Sequence, residues 1–177
     1  MRRVYIRGTS GSGKSTLGRA LAARLGVPHI ELDEHYHLPG WRQRPVEEFR
    51  ARVADLVAED AWVMDGNYSK VRDLVQDRAD TVIWLDYPRG LVFRRVLLRT
   101  LHRCLTGTPV CNGNRENFVN SFLRKDSVVW WSWTTHARRH QEAIDFMADP
   151  AYAHVQRLLF CNPQETEAWL QSVPQRS

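Results

Sequence analysis

The sequence predicts an α/β fold in which a parallel sheet is covered by helices on both faces. Short apolar, β-prone runs alternate with stretches of helical periodicity, and a glycine-rich turn joins the first such run to the first helix. A length of 177 residues with 43% hydrophobic and 25% charged side chains supports one domain with a proper core, spanning 1–177.

The elements follow in order. Val4-Tyr-Ile6 is the first strand, and Ser15 to Leu25 repeats Leu17, Ala20, Leu21 and Leu25 at helical spacing before Gly26 stops it. His29-Ile-Glu-Leu32 reads as a second strand. Val46 to Glu59 is a helix whose buried face carries Val46, Phe49, Val53, Leu56 and Val57. Ala61-Trp-Val-Met64 and Thr81-Val-Ile-Trp-Leu85 are strands three and four. Pro88 suits a first helical turn, followed by Leu91, Val92, Val96 and Leu97 on one face. From Thr100 to about Phe118 the pattern dissolves into Gly, Pro, Asn and Thr, which predicts a long loop of functional use, a mobile lid. Val155 to Phe160 is the fifth strand and Pro163 to about Ser172 a closing helix.

The turn after the first strand, Gly8-Thr-Ser-Gly-Ser-Gly13-Lys14-Ser15, fits G-x-x-x-x-G-K-[ST]. Backbone N–H groups of Gly8, Ser10, Gly11, Ser12, Gly13 and Thr16 are placed to cradle phosphate oxygens. Lys14 reaches the β- and γ-phosphates, and the Ser15 hydroxyl ligates Mg²⁺. The helix N-terminus adds its dipole. The pattern therefore points to a nucleoside triphosphate.

Composition narrows the setting. No apolar run approaches the ~20 residues that cross a bilayer, and Met1-Arg2-Arg3 leads straight into a strand, so no signal peptide is read and the expected location is cytoplasmic. Cys104, Cys111 and Cys161 lack metal spacing and read as reduced thiols. The net charge of +5 comes almost wholly from arginine. That balance suits polyphosphate handling as well as nucleic acid; without a basic tail, the enzyme reading is preferred and a nucleic-acid partner is not expected.

A phosphate cradle needs a magnesium-organising carboxylate and a group that positions the attacking oxygen. Ligands of parallel sheets bind beyond the carboxyl ends of the strands, so acids there matter. Asp33, after strand two, is the candidate base for the acceptor hydroxyl; its plain alternative is a turn-initiating residue. Asp65, ending strand three, is the candidate magnesium-side carboxylate, directly or through water. Asp86, ending strand four, is read as a helix cap.

These blocks resemble the nucleoside and nucleotide kinase branch of P-loop proteins. The closer resemblance is to a bacterial adenylate-kinase-related family that goes by the name DNA topology modulation protein. It rests on Leu32-Asp33 followed by Pro39-Gly40-Trp41, then Trp62-Val-Met-Asp-Gly-Asn-Tyr68, then Leu85-Asp86-Tyr-Pro88-Arg89. The resemblance implies a three-layer P-loop kinase fold with strand order 2-3-1-4-5, an acceptor-binding region at about 33–60 and a lid at about 104–124. It implies ATP with Mg²⁺ as donor. Arg99 would lie over the adenine, Arg95 one turn earlier, and the loop with Asn162 and Pro163 would cover the other face of the base. Arg103 would stand at the lid entrance, and Arg115 and Arg124 would swing onto the transferring phosphate. Adenylate-type kinases follow Asp-Gly with a Phe-Pro-Arg-like run, whose arginine holds the acceptor's phosphate. Here Asn67-Tyr68-Ser69 stands instead, leaving Arg44, Arg72 or Arg78 as possible substitutes.

His35, Tyr36 and Trp41 beside Asp33 form a candidate acceptor wall, with Asn67, Tyr68 and Arg72 from the third strand's loop. Val128-Val-Trp-Trp-Ser-Trp133 reads as core or as a homodimer face. His136 and His140, four apart, lack a third ligand for zinc. The function expected is phosphoryl transfer from Mg·ATP to a small acceptor: a nucleoside, a nucleotide or another hydroxyl compound. A nucleotide-binding regulatory or DNA-associated protein is the alternative.

Overall fold

The computed structural model describes residues 1–123 and 127–175. Five parallel strands form the central sheet: β1 (Arg3–Gly8), β2 (His29–Glu31), β5 (Trp62–Asp65), β6 (Thr81–Leu85) and β9 (Gln156–Phe160). Their spatial order is β2-β5-β1-β6-β9, the 2-3-1-4-5 order expected once two short hairpins are set aside. Those hairpins pair β3 (His37–Leu38) with β4 (Arg42–Gln43), and β7 (Pro109–Val110) with β8 (Asn114–Arg115). The register sets Ile6 beside Asp65 and Gly8 beside Leu85, so the carboxyl ends of the central strands meet at one edge.

Alternation along β1 explains the two cores. Val4 and Ile6 pack with Leu17, Leu21 and Leu25 of α1 (Lys14–Leu25) and with Phe160. Tyr5 faces the opposite layer with Phe49 and Val53 of α3 (Val46–Ala58), Val75 of α4 (Arg72–Arg78) and Phe146 of α6 (Val128–Ala148). Strands β5 and β6 are buried along their whole length, as strands covered on both sides must be.

One expectation is corrected, and one of two alternatives for the tryptophan stretch is removed. The helix after β6, α5 (Arg89–Thr106), continues through Thr100–Thr106, which composition assigned to loop, because Val92, Val96 and Thr100 keep one face buried. The segment expected to form a lid therefore starts at Gly107 and folds back as the β7–β8 hairpin. In the segment expected to bind the acceptor, the short helix α2 (Leu32–Tyr36) leads into the β3–β4 hairpin. In α6, Trp130 and Trp131 are each 48% exposed and so are not core. Its buried stripe is Val129, Ser132, Thr135, Arg139, Ala143 and Phe146, a helical face carrying three polar residues. The final helix, α7 (Pro163–Ser172), spans the expected residues. Among the described residues no helix is long and apolar enough to cross a membrane.

Candidate active site

The phosphate cradle lies between β1 and α1. Gly13 immediately precedes α1 with φ +96°, and no side chain caps the helix, so its first amides are left to face a ligand. At Gly11, with φ +86°, a β-carbon would stand 2.5 Å from Val96 Cγ2 and 2.8 Å from the Val92 carbonyl. Only glycine lets the loop pass that close to α5. Lys14 Nζ donates to the Thr9 carbonyl (3.1 Å), folded back over the loop. Burial lowers its pKa, Asp65 and Asp33 oppose that, and Arg99 and Arg139 push it further down. Lys14 thus stands among both candidate carboxylates and two guanidiniums. The Ser12 hydroxyl is buried without a partner, as expected of a group waiting for a phosphate oxygen.

Next to the cradle opens a cavity of about 440 Å³, lined in part by Gly13, Thr16, Tyr87, Arg95, Arg99 and Pro163. Expected nucleotide contacts from α1, α5 and the last loop converge there. Arg99 Nη2 also donates to Ser10 Oγ (3.4 Å), which ties it to the phosphate end. Asn162 spends its side-chain oxygen capping α7, accepting from the Glu165 amide at 2.9 Å.

On the other side of the cradle, Ser15 Oγ donates to Asp65 Oδ1 (3.2 Å), bringing both expected magnesium-side groups together. Two residues that sequence reasoning missed join them. His29 Nε2 lies 2.8 Å from Asp65 Oδ2, and one ligand atom from each of His29, Glu31 and Asp65 falls within 4.8 Å of the others. Burial raises the Glu31 carboxyl above its usual range. The only sequence signal was alternation in β2, which places residues 29 and 31 on the same side of the strand. The ion expected with the triphosphate is Mg²⁺. The residues fit that ion: Ser15, Asp65 and Glu31 supply hard oxygen donors beside the lysine of the cradle.

Asp33 is near enough to Lys14 for its charge to oppose the burial of the lysine. Tyr68 Oη donates to Asp33 Oδ1 at 2.7 Å, holding the carboxylate while leaving it exposed. Burial and the Asp33 charge both raise the Tyr68 pKa, so the phenol stays protonated and donating. The β7–β8 hairpin borders this corner through Asn112, which contacts Glu34. Cys111 approaches closely enough that burial, with the Asp33 charge adding to it, pushes its thiol up to about 11. Asn112 Nδ2 donates to the carbonyls of Glu34 and His37 (both 2.6 Å), and Asn114 Nδ2 to that of Leu38 (3.0 Å). The Trp41 amide donates to Asn114 Oδ1 (2.9 Å) and its indole to the Arg115 carbonyl (3.0 Å). Lid and acceptor flap are therefore docked on each other.

Several expected acceptor contacts lie elsewhere. Tyr36 is 6% exposed, packed in the core against Phe49 and Tyr68, with its hydroxyl donating to Gln43 (2.7 Å). His35 turns toward α3 and accepts from Arg52 (2.9 Å). Asn67 bridges to the backbone of Gly8 through both of its side-chain atoms, bracing the start of the cradle. Trp41 holds the lid rather than lining the acceptor corner. Arg103 pairs with Glu116 (3.0 Å), and the exposed Arg115 has a guanidinium nitrogen beside Gly107. Arg124 lies outside the described residues. Asp86 binds His140 Nδ1 (2.6 Å) instead of capping α5, and His136 contacts the Tyr87 carbonyl (2.9 Å), so these histidines fasten α6 to the sheet edge. Arg72 joins Arg7, Arg139 and Glu142 in a charged cluster beside Tyr5.

No family model matches the chain. It is 31% identical over 127 residues to the uncharacterized protein YqaC of Bacillus subtilis, covering 71% of each chain, and it belongs to the same family. It is 28% identical over 113 residues to a shikimate kinase of Persephonella marina, covering 54% of this chain and 67% of that protein. Among solved structures it resembles a shikimate kinase from Bacteroides thetaiotaomicron with a TM-score of 0.54 and 17% identity, over 96% and 94% of the two chains. A shikimate kinase from Acinetobacter baumannii in complex with shikimate gives 0.51 at 17% identity, over 98% and 90%. The fold is that of the P-loop kinases.

Proposed function

We propose that this member of the YqaC family is a kinase that moves the γ-phosphate of ATP to a hydroxyl of a small acceptor. One observation carries the reading. The exposed Asp33 carboxylate is aligned by Tyr68 at 2.7 Å, and its charge acts on Lys14 of the cradle. A nucleotide-binding switch needs the cradle but has no use for a positioned base beside it.

In this mechanism Ser15 and Asp65, with Glu31 near them, hold Mg²⁺, which supplies charge neutralisation on the β- and γ-phosphates. The cradle amides and Lys14 fix the phosphates. Asp33 accepts the proton of the acceptor hydroxyl as that oxygen bonds to the γ-phosphorus, and the bond from phosphorus to the bridging oxygen breaks to release ADP. Arg99, against Ser10, supplies positive charge at the phosphate end of the cavity. The acceptor class, whether nucleoside, nucleotide or another hydroxyl compound, is open at this level. The names of the relatives make shikimate the first compound to try. The blocks around Pro39-Gly40-Trp41 and Asp65-Gly66-Asn67 keep the finer resemblance to the adenylate-kinase-related family in the reading. The two exposed tryptophans of α6 support pairing of two copies through that face.

The test is ATP turnover against a panel of hydroxyl compounds, with ADP and phosphorylated product followed by mass spectrometry. A product whose formation requires Mg²⁺ and disappears in Lys14→Ala supports the proposal. Tight ATP binding with no product from any acceptor overturns it.

A further inference from the structure

One glycine of α1 has no local reason to be there. Gly18 is buried inside the helix, and its φ lies outside the left-handed region. Glycine in a helix interior costs roughly 1 kcal/mol against alanine. A β-carbon at Gly18 would stand 2.3 Å from His29 Nε2 and 2.8 Å from His29 Cδ2. The missing methyl is the socket of the His29 ring, and from that socket Nε2 reaches Asp65 Oδ2 at 2.8 Å. We propose that His29, seated on Gly18, is a positioning residue for the metal-side carboxylate, holding Asp65 Oδ2 so that Oδ1 stays turned toward Ser15. This role rests on the reading of Ser15 and Asp65 as the residues that hold Mg²⁺.

The helix face explains how the pieces meet. Ser15 and Gly18 are three residues apart on α1 and so neighbour each other on its surface. One contacts Asp65 and the other leaves room for His29. A carboxylate only accepts, so His29 Nε2 donates to Oδ2 while Ser15 Oγ donates to Oδ1 (3.2 Å). Two donors thus fix both oxygens of a side chain that is 6% exposed. The other ring nitrogen, Nδ1, lies 3.8 Å from Glu31 Oε1, beyond hydrogen-bond reach. Among the described residues the ring's hydrogen bond therefore goes to Asp65.

The sheet does not need this contact for its own sake. Strands β2 and β5 are already joined by backbone pairing, with His29 opposite Val63 and Glu31 opposite Asp65. The His29 side chain passes its register partner and reaches the residue two further on, at the carboxyl end of β5 where the cradle lies. Packing against α1 asks only for an apolar side chain; the imidazole adds the donor that the carboxylate uses. Mg²⁺ tolerates little departure from octahedral geometry and takes one or two carboxylates. A group that hydrogen-bonds such a carboxylate sets its orientation, and its loss typically weakens metal binding by about 10- to 100-fold.

Mn²⁺, which suits the same oxygen ligands as Mg²⁺, is the probe. The protein is held in excess of a non-hydrolysable ATP analogue, so that almost none is free, and titrated with Mn²⁺ by electron paramagnetic resonance. Analogue affinity in EDTA certifies the fold and the cradle of each variant. His29→Ala and Gly18→Ala should each weaken Mn²⁺ by about 10- to 100-fold, with analogue affinity in EDTA unchanged. His29→Gln, whose amide donates in the same place, should recover most of the loss, and it serves with Gly18→Ala if His29→Ala does not fold. Gly18→Ala should add nothing in a His29→Ala background, where its β-carbon no longer meets a ring. Unchanged Mn²⁺ affinity in the folded His29 variants, or losses that add in the double variant, overturns the positioning role. So does a nitrogen coupling to the bound Mn²⁺ that vanishes in His29→Ala, which would make the ring a ligand. Affinity unchanged in Asp65→Asn as well removes the metal reading and the role with it, whereas a loss in Asp65→Asn alone removes only His29. The expected metal losses without ATP turnover on any acceptor keep the role and remove the kinase reading.

Discussion

The two halves of the site are built from different materials. The donor half is mostly backbone, a turn of eight residues whose amides, glycines and lysine lie adjacent in sequence. The proposed acceptor half is side chains gathered from α2, the loop after β5 and the β7–β8 segment, with partners up to 78 residues apart. A backbone site is specified by the φ angles its glycines permit. A side-chain site is specified by packing, and no local pattern announces it. The contrast predicts that damage to the donor half is severe and local, while damage to the acceptor half is graded and shared.

The largest expected effect is on the donor side. Lys14→Ala removes the positive charge closest to the phosphates and should lower kcat/KM by about 10²–10³-fold, read in the turnover assay; a loss of only a few-fold would mean the charge is supplied elsewhere. Gly11→Ala comes next. Its β-carbon meets Val96 Cγ2 at 2.5 Å at a φ of +86°, so strain of about 1–3 kcal/mol should weaken nucleotide binding by roughly 10- to 100-fold. Gly13→Ala shares the positive φ (+96°) but meets nothing closer than Arg95 Nη1 at 3.9 Å, so its loss should be smaller. Calorimetric affinities for an ATP analogue rank the two, and the reverse order would break the steric account.

On the acceptor side, Asn114→Ala removes a 4% exposed side chain that makes three hydrogen bonds, two of them across the lid–flap contact. At about 1 kcal/mol for each of the two bonds across the contact, acceptor KM should rise roughly thirtyfold while the nucleotide Kd stays within about twofold. Equal losses in both would show that the lid serves the whole site. The smallest effect is on pH. Burial lowers the pKa of His35 and of His37, and Arg52 adds to this at His35. The unfolded chain then binds protons before the folded one as pH falls. The stability held by the neutral rings is complete above about 6.5 and declines below it as pH drops toward the lowered folded values. Melting curves from pH 7.5 to 5 should show a shallow fall in Tm that is reduced in His35→Gln.

How much was legible follows the same division. Strands β5 and β6 are uninterrupted apolar runs, and the cradle is a contiguous motif, so both could be read directly. The buried stripe of α6 could not, because Ser132, Thr135 and Arg139 interrupt it where the helix passes the cradle; Ser132 Oγ donates to the Ser10 carbonyl at 3.2 Å. Tyr36 was read as an acceptor wall because it neighbours Asp33. One turn of α2 carries its ring onto Phe49, and burial of an aromatic face outweighs adjacency in sequence. His29 and Glu31 were invisible as site residues because their meeting with Asp65 depends on β2 lying beside β5, a pairing across more than thirty residues. Trp41 and Asn114 meet across 73 residues, and only the closed lid brings them together.

The central claim is that Asp33 belongs to an acceptor half distinct from the nucleotide cradle. Asp33→Asn tests it most directly, with nucleotide affinity and phosphoryl transfer measured on the same protein. The prediction is an ATP-analogue affinity within about twofold of wild type and a transfer rate lower by roughly 10²–10⁴, the usual contribution of a positioned base. Transfer preserved within a few-fold, or nucleotide binding lost in step with it, would contradict the account.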